Sequence, residues 1–358
     1  MRILQICSAK TIGGGERHVA DLSNLLSSLG FEVFVALTHN SPLRNLLLLP
    51  PENFIVTRLR NAIDIFSAQK LAKFVSEKKI EIIHAHTGRD YLPAAICSAL
   101  SGKPFVLTRH VLFPMKRMNS FFLRRTSGVI AVSNAVSRSL LEQKIFPADK
   151  IKIVHNGIDT KRFVPAAQKV ASKTFRIGTI GELSAIKGHE IFITAAAKVL
   201  RHNPKVEFEI VGEDKTPEKK TQTELEKIIK KFNLEDSVKL HGWIDDVVPF
   251  LHSLDAFVSA SRFDAFGLAI CEAMACSIPV IASDTEAARE IIEHGETGLL
   301  FSVNKADVLA DKILDLIKNP AHGARLGIAA RARIESEFSL EKMAARTVEF
   351  YKEALGGS

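Results

Sequence analysis

A loop that leads into a helix carries the residues best suited to chemistry. Residues 261–272 read S-R-F-D-A-F-G-L-A-I-C-E and follow an apolar, strand-like segment. Gly267, at the point where loop becomes helix, lets a phosphate approach free backbone N–H groups, which the helix dipole favours. Asp264 and Glu272 are eight residues apart, so they could hydrogen-bond hydroxyl groups at opposite ends of one ligand. An ordinary helix start with two solvated acids is the alternative.

Lys187 is the cation best placed for chemistry in the second half of the chain. It lies in 178–188 (G-T-I-G-E-L-S-A-I-K-G), between a predicted strand and a predicted helix. A lysine there could neutralise a diphosphate during bond cleavage. Gly212, after the next predicted strand, lets a nucleoside approach the backbone, although it could be an ordinary turn glycine.

A glycine-rich loop in the first half offers another approach to the backbone. Residues 11–18 (T-I-G-G-G-E-R-H) join the first predicted strand to the first predicted helix. Gly14 and Gly15 leave a flat surface that a phosphate or a sugar can approach. The spacing is not G-x-G-x-x-G, so a dinucleotide fingerprint is poorly supported.

Histidines mark the ends of two predicted strands. His110 follows 105–108, and His84 and His86 end the strand before it. A histidine at a strand end could hydrogen-bond a sugar hydroxyl or steady charge near a reacting carbon. A structural or capping role is the alternative for all three.

The elements that position these residues alternate between strand and helix. Strands that are apolar throughout and separated by helices favour a parallel sheet covered on both faces. The polar segment 165–174 interrupts the alternation, which then restarts. We therefore predict two doubly wound α/β domains, at 1–165 and 166–339, and a last helix within 340–358. Ligands of such domains bind at the carboxyl ends of the strands.

The segment D-A-F-G-L-A-I-C-E-A-M-A resembles the E-x7-E signature of retaining glycosyltransferase family 4 (glycosyl transferases group 1), and the likeness covers nearly the whole chain. It implies the GT-B fold, in which two Rossmann-like domains face a central cleft. The first domain would bind the acceptor and the second the nucleotide sugar. The last helix would cross back to the first domain. The acceptor hydroxyl would attack the sugar on the same face from which the leaving group departs, and no protein side chain would act as a nucleophile.

The resemblance also implies roles for individual residues. Glu272 would hold the ribose hydroxyls, and Asp264 would orient the sugar through its hydroxyls. Lys187 would bind the diphosphate, and His110 would lie at the donor sugar. The remaining contacts would come from Phe266, Gly267 and Leu268 at the phosphates and sugar, Gly14 and Gly15 beneath the diphosphate, and Gly212 at the nucleoside.

Two residues depart from the family pattern. Asp264 stands where the family usually has glutamate and is one methylene shorter. Glu182 stands where the pattern G-R-L-x-x-x-K-G has an arginine on the diphosphate, so a charge is reversed. Another cation could compensate, and the candidates are Arg262, Arg109 and Arg17. Alternatively, Glu182 points away from the diphosphate.

The composition of the 358 residues limits the classes of protein to which the chain can belong. Hydrophobic residues make up 46% and charged residues 25%, a soluble globular profile. No apolar run reaches the ~18–20 residues of a membrane span. The four cysteines lack C-x-x-C spacing, which argues against a zinc site or a disulfide framework and fits a reducing cytoplasm. No Asp-x-Asp motif lies beside a predicted strand end, so we expect metal-independent chemistry and no cofactor besides the substrate.

Positive charge is concentrated in the first domain. Residues 1–160 hold 21 Lys and Arg against 11 Asp and Glu, and the remainder holds 27 against 29. No zinc finger, RNP-like strand or arginine-rich tail supports nucleic acid as the partner. Segment 113–125 mixes cations with apolar residues and could bind an anionic membrane surface at the inner face of the cytoplasmic membrane. A partly buried helix with a basic face is the alternative. The membrane or acceptor patch would comprise Lys116, Arg117, Phe121, Phe122, Arg124 and Arg125.

These features predict a retaining glycosyltransferase. It would move a hexose-type sugar from a nucleotide-diphosphate sugar to a hydroxyl of a glycan or lipid-linked acceptor in cell-envelope polysaccharide or glycolipid synthesis. A sugar-nucleotide epimerase of the same architecture is one alternative, and it needs further acid/base carboxylates. A catalytically decayed nucleotide-sugar-binding protein is the other, motivated by Glu182 and Asp264.

Overall fold

The computed structural model describes residues 1–59, 64–115, 123–167 and 174–356. The chain forms two compact units, one made of Met1–Gly157 with Leu340–Ser358 and the other of Ile158–Ser339. Each unit contains one sheet whose described strand pairs all run parallel. The prediction of two Rossmann-like parallel-sheet domains is therefore confirmed.

The described residues of the first unit form a seven-stranded sheet with the order β3-β2-β1-β4-β5-β6-β7. The strands are β1 (Arg2–Ile6), β2 (Glu32–Leu37), β3 (Phe54–Val56), β4 (Ile82–Ala85), β5 (Phe105–Arg109), β6 (Gly128–Ala131) and β7 (Ile151–Ile153). The helices that follow in this unit are α1 (Gly14–Ser28), α2 (Ile65–Glu77), α3 (Tyr91–Ser101) and α4 (Asn134–Gln143). Strand order reverses between β1 and β4, the place where such sheets bind ligands.

The described residues of the second unit repeat this plan with six strands in the order β10-β9-β8-β11-β12-β13. The strands are β8 (Phe175–Ile180), β9 (Val206–Val211), β10 (Val238–Gly242), β11 (Ala256–Ser259), β12 (Val280–Ser283) and β13 (Leu299–Phe301). The helices are α5 (His189–His202), α6 (Lys220–Lys231), α7 (Val248–Ser253), α8 (Leu268–Ala275), α9 (Glu286–Ile291), α10 (Ala306–Lys318) and α11 (Pro320–Glu337). Here the strand order reverses between β8 and β11.

The last helix, α12 (Leu340–Gly356), packs on the first unit although it ends the chain. Its apolar face joins the core formed by α1 and β1, with Leu340, Met343 and Tyr351 buried there. The ring of Phe350 occupies the space that a side chain at Gly128 would need, because a Cβ there would lie 2.3 Å from Phe350 Cζ. Only glycine at the start of β6 allows this close packing.

The first unit ends at Gly157, before the boundary that the sequence placed at residue 165. Ile158 N–H donates to the carbonyl oxygen of Phe338 at 2.8 Å, and Arg331 donates to the carbonyl oxygen of Phe163 at 2.6 Å. These bonds attach the segment after Gly157 to the second unit. Most of the predicted linker, residues 168–173, lies outside the described residues.

Two features predicted from composition can be compared with the structure. All four cysteines are buried and free, in agreement with the predicted lack of a disulfide framework. Among the described residues, no helix combines the length and the apolar character that crossing a membrane requires.

Candidate functional site

The glycine loop of the first unit lies against His110. Helix α1 begins at Gly14, and the N–H of Gly13 donates to Glu16 Oε2 at 2.9 Å, which closes the loop. A Cβ at Gly15 would lie 3.5 Å from His110 Cγ, so the backbone of Gly15 packs directly on the imidazole ring. The structure thus brings together two of the predicted site residues. Arg17, in the first turn of α1, is half-buried.

Three histidines from different elements meet at the carboxyl edge of the first sheet. His18 comes from α1, His86 follows β4 and His110 follows β5. The ring centroid of His18 lies 4.7 Å from that of His110 and 5.5 Å from that of His86, and the His86 and His110 centroids are 5.7 Å apart. His18 and His86 are buried, whereas His110 is half-buried. We call these three residues the histidine cluster.

Hydrogen bonds to α12 and β5 hold His84, which lies beside the histidine cluster. Gln5 Nε2 donates to the Tyr351 hydroxyl oxygen at 3.2 Å. The Tyr351 hydroxyl is hydrogen-bonded to His84 Nδ1 at 2.6 Å, and His84 Nε2 is hydrogen-bonded to Thr108 Oγ1 at 2.7 Å. Both ring nitrogens of His84 are therefore used in holding α12, β4 and β5 together. His84 has a structural role.

The same chain of bonds leads to His110. Gln5 Oε1 can only accept, so His86 Nε2–H donates to it at 2.7 Å. His86 Nδ1 therefore carries a lone pair, which accepts from His110 Nε2–H at 3.4 Å. His110 Nδ1 is left unprotonated, buried and without a partner. Burial, reinforced by neighbouring histidines, holds the pKa of His86 and of His110 well below the usual value, so both rings stay neutral.

The loop after β4 contributes a buried acid that the sequence did not single out. Asp90 Oδ2 accepts from Ser8 N–H at 2.8 Å and from Thr87 Oγ1 at 2.6 Å, and Asp90 Oδ1 is buried without a partner. Burial raises the pKa of this carboxyl. Arg109 is also buried, and its guanidinium donates to the carbonyl oxygen of Phe113. Arg109 therefore holds the chain that follows β5.

In the second unit, Lys187 and Asp264 form an ion pair. Lys187 Nζ donates to Asp264 Oδ1 at 2.5 Å, and their side chains are 31% and 11% exposed. The lysine stem packs on Gly181, where a Cβ would lie 3.4 Å from Lys187 Cδ. Gly188 has a φ of +63°, and a Cβ there would lie 2.1 Å from the carbonyl oxygen of Ala260. The loops after β8 and β11 are therefore in close contact, and the pair bridges them.

Arg262 holds the turn that carries Lys187. Its guanidinium donates to the carbonyl oxygen of Ala185 and to Glu190, and its backbone N–H donates to the carbonyl oxygen of Ile186 at 2.8 Å. Arg262 and Arg109, which were considered as substitutes for the family's diphosphate cation, thus have partners within their own units.

Glu182 carries an exposed carboxylate at the end of β8. Lys215 Nζ lies 3.8 Å from Glu182 Oε2. The carbonyl oxygen of Glu182 accepts from His189 Nε2–H at 3.1 Å. Burial lowers the pKa of His189 to about 4, so this ring is neutral and fixes the loop through one hydrogen bond.

The start of α8 presents free backbone donors. Gly267 precedes the helix with a φ of +112°, which favours glycine. The N–H groups of Leu268 and Ala269 have no acceptor within the helix, whereas Ile270 N–H donates to the carbonyl oxygen of Gly267 at 3.0 Å. The ring of Phe266 is buried 6.0 Å from that of Phe338, so Phe266 offers its backbone and not its ring. Glu272 lies one turn further along and is half-buried.

Gly212 allows two strand ends to touch. It has a φ of +149°, and a Cβ there would lie 1.8 Å from the carbonyl oxygen of Gly181. Its N–H donates to the carbonyl oxygen of Gly242 at 2.8 Å. Trp243, which follows, is 45% exposed and was not considered from the sequence. The carboxyl edge of the second sheet thus combines closely approachable backbone, an aromatic ring and the pair of Lys187 and Asp264.

The predicted membrane or acceptor patch lies mainly outside the described residues. This applies to Lys116, Arg117, Phe121 and Phe122. Arg124 and Arg125 are described, and both are exposed just before β6.

Comparisons with known proteins agree with this architecture. The family model described as "Glycosyltransferase Family 4" matches residues 12–162, and that described as "Glycosyl transferases group 1" matches residues 160–333. The chain is 27% identical over 312 residues to alpha-maltose-1-phosphate synthase of Mycolicibacterium smegmatis, which covers 76% of this chain and 78% of the relative. It is 26% identical over 313 residues to N-acetyl-alpha-D-glucosaminyl L-malate synthase of Bacillus anthracis, covering 82% and 80%.

Solved structures show the same fold. Anabaena Alr3699/HepE in complex with UDP and glucose has a TM-score of 0.86 and 24% identity, covering 98% of this chain and 99% of that one. A glycosyltransferase from Rickettsia africae has a TM-score of 0.88 and 24% identity, covering 100% and 99%. Both likenesses extend over essentially the whole chain.

Proposed function

Because the chain belongs to glycosyltransferase family 4, we propose that it moves a hexose-type sugar from a nucleotide-diphosphate sugar to a hydroxyl of a glycan or lipid-linked acceptor, with retention at the anomeric carbon. The observation that carries the proposal is the Lys187–Asp264 ion pair, with Asp264 on the loop that leads into α8. A cation for a diphosphate and an acid for sugar hydroxyls are thus in direct contact.

Departure of the nucleoside diphosphate is the step that the second unit would assist. As the sugar–oxygen bond breaks, negative charge grows on the leaving phosphate oxygen. Lys187 and the N–H groups at the start of α8 stabilise that charge, because both are fixed before the reaction begins. In this proposal these groups act without a metal ion. Glu272 holds the ribose, and Asp264 orients the sugar through its hydroxyls.

The first unit would supply a hydrogen-bond acceptor for the sugar. His110 Nδ1 is bare, and its ring is held by His86 on one side and by Gly15 on the other. A neutral imidazole in this tautomer accepts from a sugar hydroxyl without adding positive charge near the reacting carbon.

The experiment that tests this function is a donor screen followed by product analysis. Thermal unfolding with UDP, GDP and their sugars identifies the base, since a ligand that binds the folded state raises the melting temperature. The selected donor is then incubated with candidate hydroxyl acceptors, and proton NMR reads the anomeric configuration of the product. Retention and nucleotide release are expected. Inversion refutes the mechanism, a changed sugar on an intact donor indicates an epimerase, and binding without turnover indicates a decayed enzyme.

We also propose that the first unit contacts an anionic membrane surface from the cytoplasmic side. Support comes from the positive excess in residues 1–160 and from the exposure of Arg124 and Arg125. Co-sedimentation with phosphatidylglycerol vesicles should exceed that with phosphatidylcholine vesicles, and charge reversal at both arginines should reduce it. Equal binding to both kinds of vesicle refutes the contact.

A further inference from the structure

The histidine cluster has the geometry of a metal site. One ring nitrogen from each of His18, His86 and His110 lies within 4.8 Å of the other two. Zinc–nitrogen bonds of about 2.0–2.1 Å in a tetrahedral arrangement place ligand nitrogens ~3.3 Å apart and ring centroids ~5 Å apart. His86 Nδ1 and His110 Nε2 are already 3.4 Å apart, and the three centroid separations run from 4.7 to 5.7 Å. We infer that the histidine cluster binds one divalent transition-metal ion of the Zn²⁺ type.

Unpartnered nitrogens supply the second reason. Both ring nitrogens of His18 and Nδ1 of His110 are buried, and none of the three makes a hydrogen bond of good geometry. Leaving such buried polar groups unsatisfied destabilises the folded state. An ion ligated by one nitrogen of His18 gives that ring a partner, and His86 Nδ1 and His110 Nε2 are placed to complete the site.

Outer contacts are already in place for two ligands. His86 gives its Nε2–H to Gln5 Oε1, which leaves Nδ1 directed at His110, as in metal sites where the second ring nitrogen donates to a carbonyl oxygen. A hydrogen bond to the Asn156 side chain offsets part of the effect of burial on the pKa of His18, so one nitrogen of His18 has an outer contact. His18 can therefore ligate through one nitrogen and donate through the other.

Binding requires one proton movement. His110 Nε2 carries the hydrogen that His86 now accepts, so ligation through Nε2 moves this proton to Nδ1, and the ring stays neutral. Binding therefore adds only the charge of the metal ion to the site. Three imidazoles and no carboxylate favour Zn²⁺, Cu²⁺ or Ni²⁺ over Mg²⁺ or Ca²⁺, and leave a fourth position for water. His110 is the half-buried member of the cluster.

Occupation has a consequence that rests on the proposed function. The ion takes the lone pair of His110 or moves its proton to Nδ1, and either change removes the acceptor that we assign to the sugar. Zn²⁺ should therefore compete with the sugar of the donor and slow transfer.

Cobalt spectroscopy on the untagged, chelator-treated full chain tests the site. Co²⁺ should give the intense visible bands of a four-coordinate site at one equivalent, and Zn²⁺ should abolish them. His18→Ala and His110→Ala should each weaken Co²⁺ binding by more than about 100-fold, and Gln5→Leu by about 10–100-fold, the effect of losing an outer partner. His202→Ala, on an exposed histidine of the second unit, is the matched control and should bind normally.

Circular dichroism and thermal unfolding of each variant separate loss of the site from loss of the fold. His110→Ala should perturb the fold less than His18→Ala, because the ring of His110 is only half-buried. No visible bands with the wild type, or unchanged Co²⁺ affinity in folded His110→Ala, overturns the inference. Turnover of the metal-free wild type, measured separately, reports on the transferase proposal, so the two can fail independently.

Discussion

Lys187 and Asp264 should affect nucleotide binding in opposite directions. In the structure Lys187 Nζ is bound to Asp264 Oδ1 at 2.5 Å, so a diphosphate must compete with the acid for this lysine. Lys187→Met removes the cation and leaves the acid near the diphosphate. Asp264→Asn keeps a side chain of the same size, removes the competing charge and frees the lysine.

The size of each effect follows from the exposure of the pair. A hydrogen bond to a charged group contributes about 1.5–3 kcal/mol, so Lys187→Met should weaken UDP or GDP binding roughly 10–150-fold. Lys187 is 31% exposed, so its pairing with Asp264 contributes only about 0.5–1 kcal/mol. Asp264→Asn should therefore strengthen diphosphate binding about 2–5-fold, although we expect it to slow sugar transfer.

Isothermal titration of UDP, GDP and the corresponding nucleosides measures these changes. Uridine and guanosine lack phosphate, so their affinities should not respond to either substitution. Lys205→Met, at an exposed lysine beside the amino end of β9, is the matched control. The reasoning is refuted if both variants shift diphosphate affinity in the same direction, or if nucleoside affinity changes as much as that of the diphosphate.

Three further outcomes are expected. Glu272→Ala should weaken UDP binding about tenfold, because a hydroxyl contact of the ribose is lost, and should spare the affinity for pyrophosphate; equal losses would contradict the ribose role. Tyr351→Phe should lower the free energy of unfolding by about 1–3 kcal/mol, because the buried His84 Nδ1 loses its hydrogen-bond partner. Nitrogen NMR should report altered histidine tautomers. An unchanged melting temperature would contradict this prediction. His18 and His189 have folded pKa values of about 4 against about 6.5 when unfolded, so their stabilisation is full above pH 6.5 and is lost as pH falls toward 4. Linkage predicts that each histidine lowers the free energy of unfolding by about 2 kcal/mol at pH 5 relative to its value above pH 6.5. Urea unfolding at pH 7 and at pH 5 would detect this loss.

The parallel sheets were predictable because their strands are uniformly apolar. Val33 and Val35 face one side of β2 and Phe34 and Ala36 the other, and all four are buried, so neither face reads as polar. The short strand β13 was not anticipated, because three residues carry too little periodicity to separate a strand from a loop. Its pairing with β12 is a tertiary contact that local pattern does not encode.

The second-unit loops were predictable because local sequence sets their backbone. Gly188 and Gly267 adopt positive φ values that favour glycine, and Lys187 lies within contact of Asp264 because these loops follow adjacent strands. The partners of Arg262 were not predictable. It was considered as a diphosphate cation, but it holds Ala185 and Glu190, a choice made by side-chain packing across the two loops.

The proximity of the three residues of the histidine cluster could not be predicted from their spacing in the sequence. His18 lies four residues before Leu22 on the buried face of α1, where an apolar residue is the usual occupant, and a polar residue at that position was the available signal. Its proximity to His86 and His110 depends on the order of β1, β4 and β5 in the sheet. The tautomers depend further on Tyr351, near the end of the chain.

Amide chemical shifts during a nucleotide titration locate the diphosphate without substitutions. We expect the largest changes on adding UDP or GDP at Gly267 and Leu268 and in 181–188, with smaller changes around Glu272, because these amides meet the phosphates and the ribose. Shifts confined to the first unit, or spread evenly over the second sheet with none at the start of α8, would contradict the assignment of the diphosphate to Lys187 and α8.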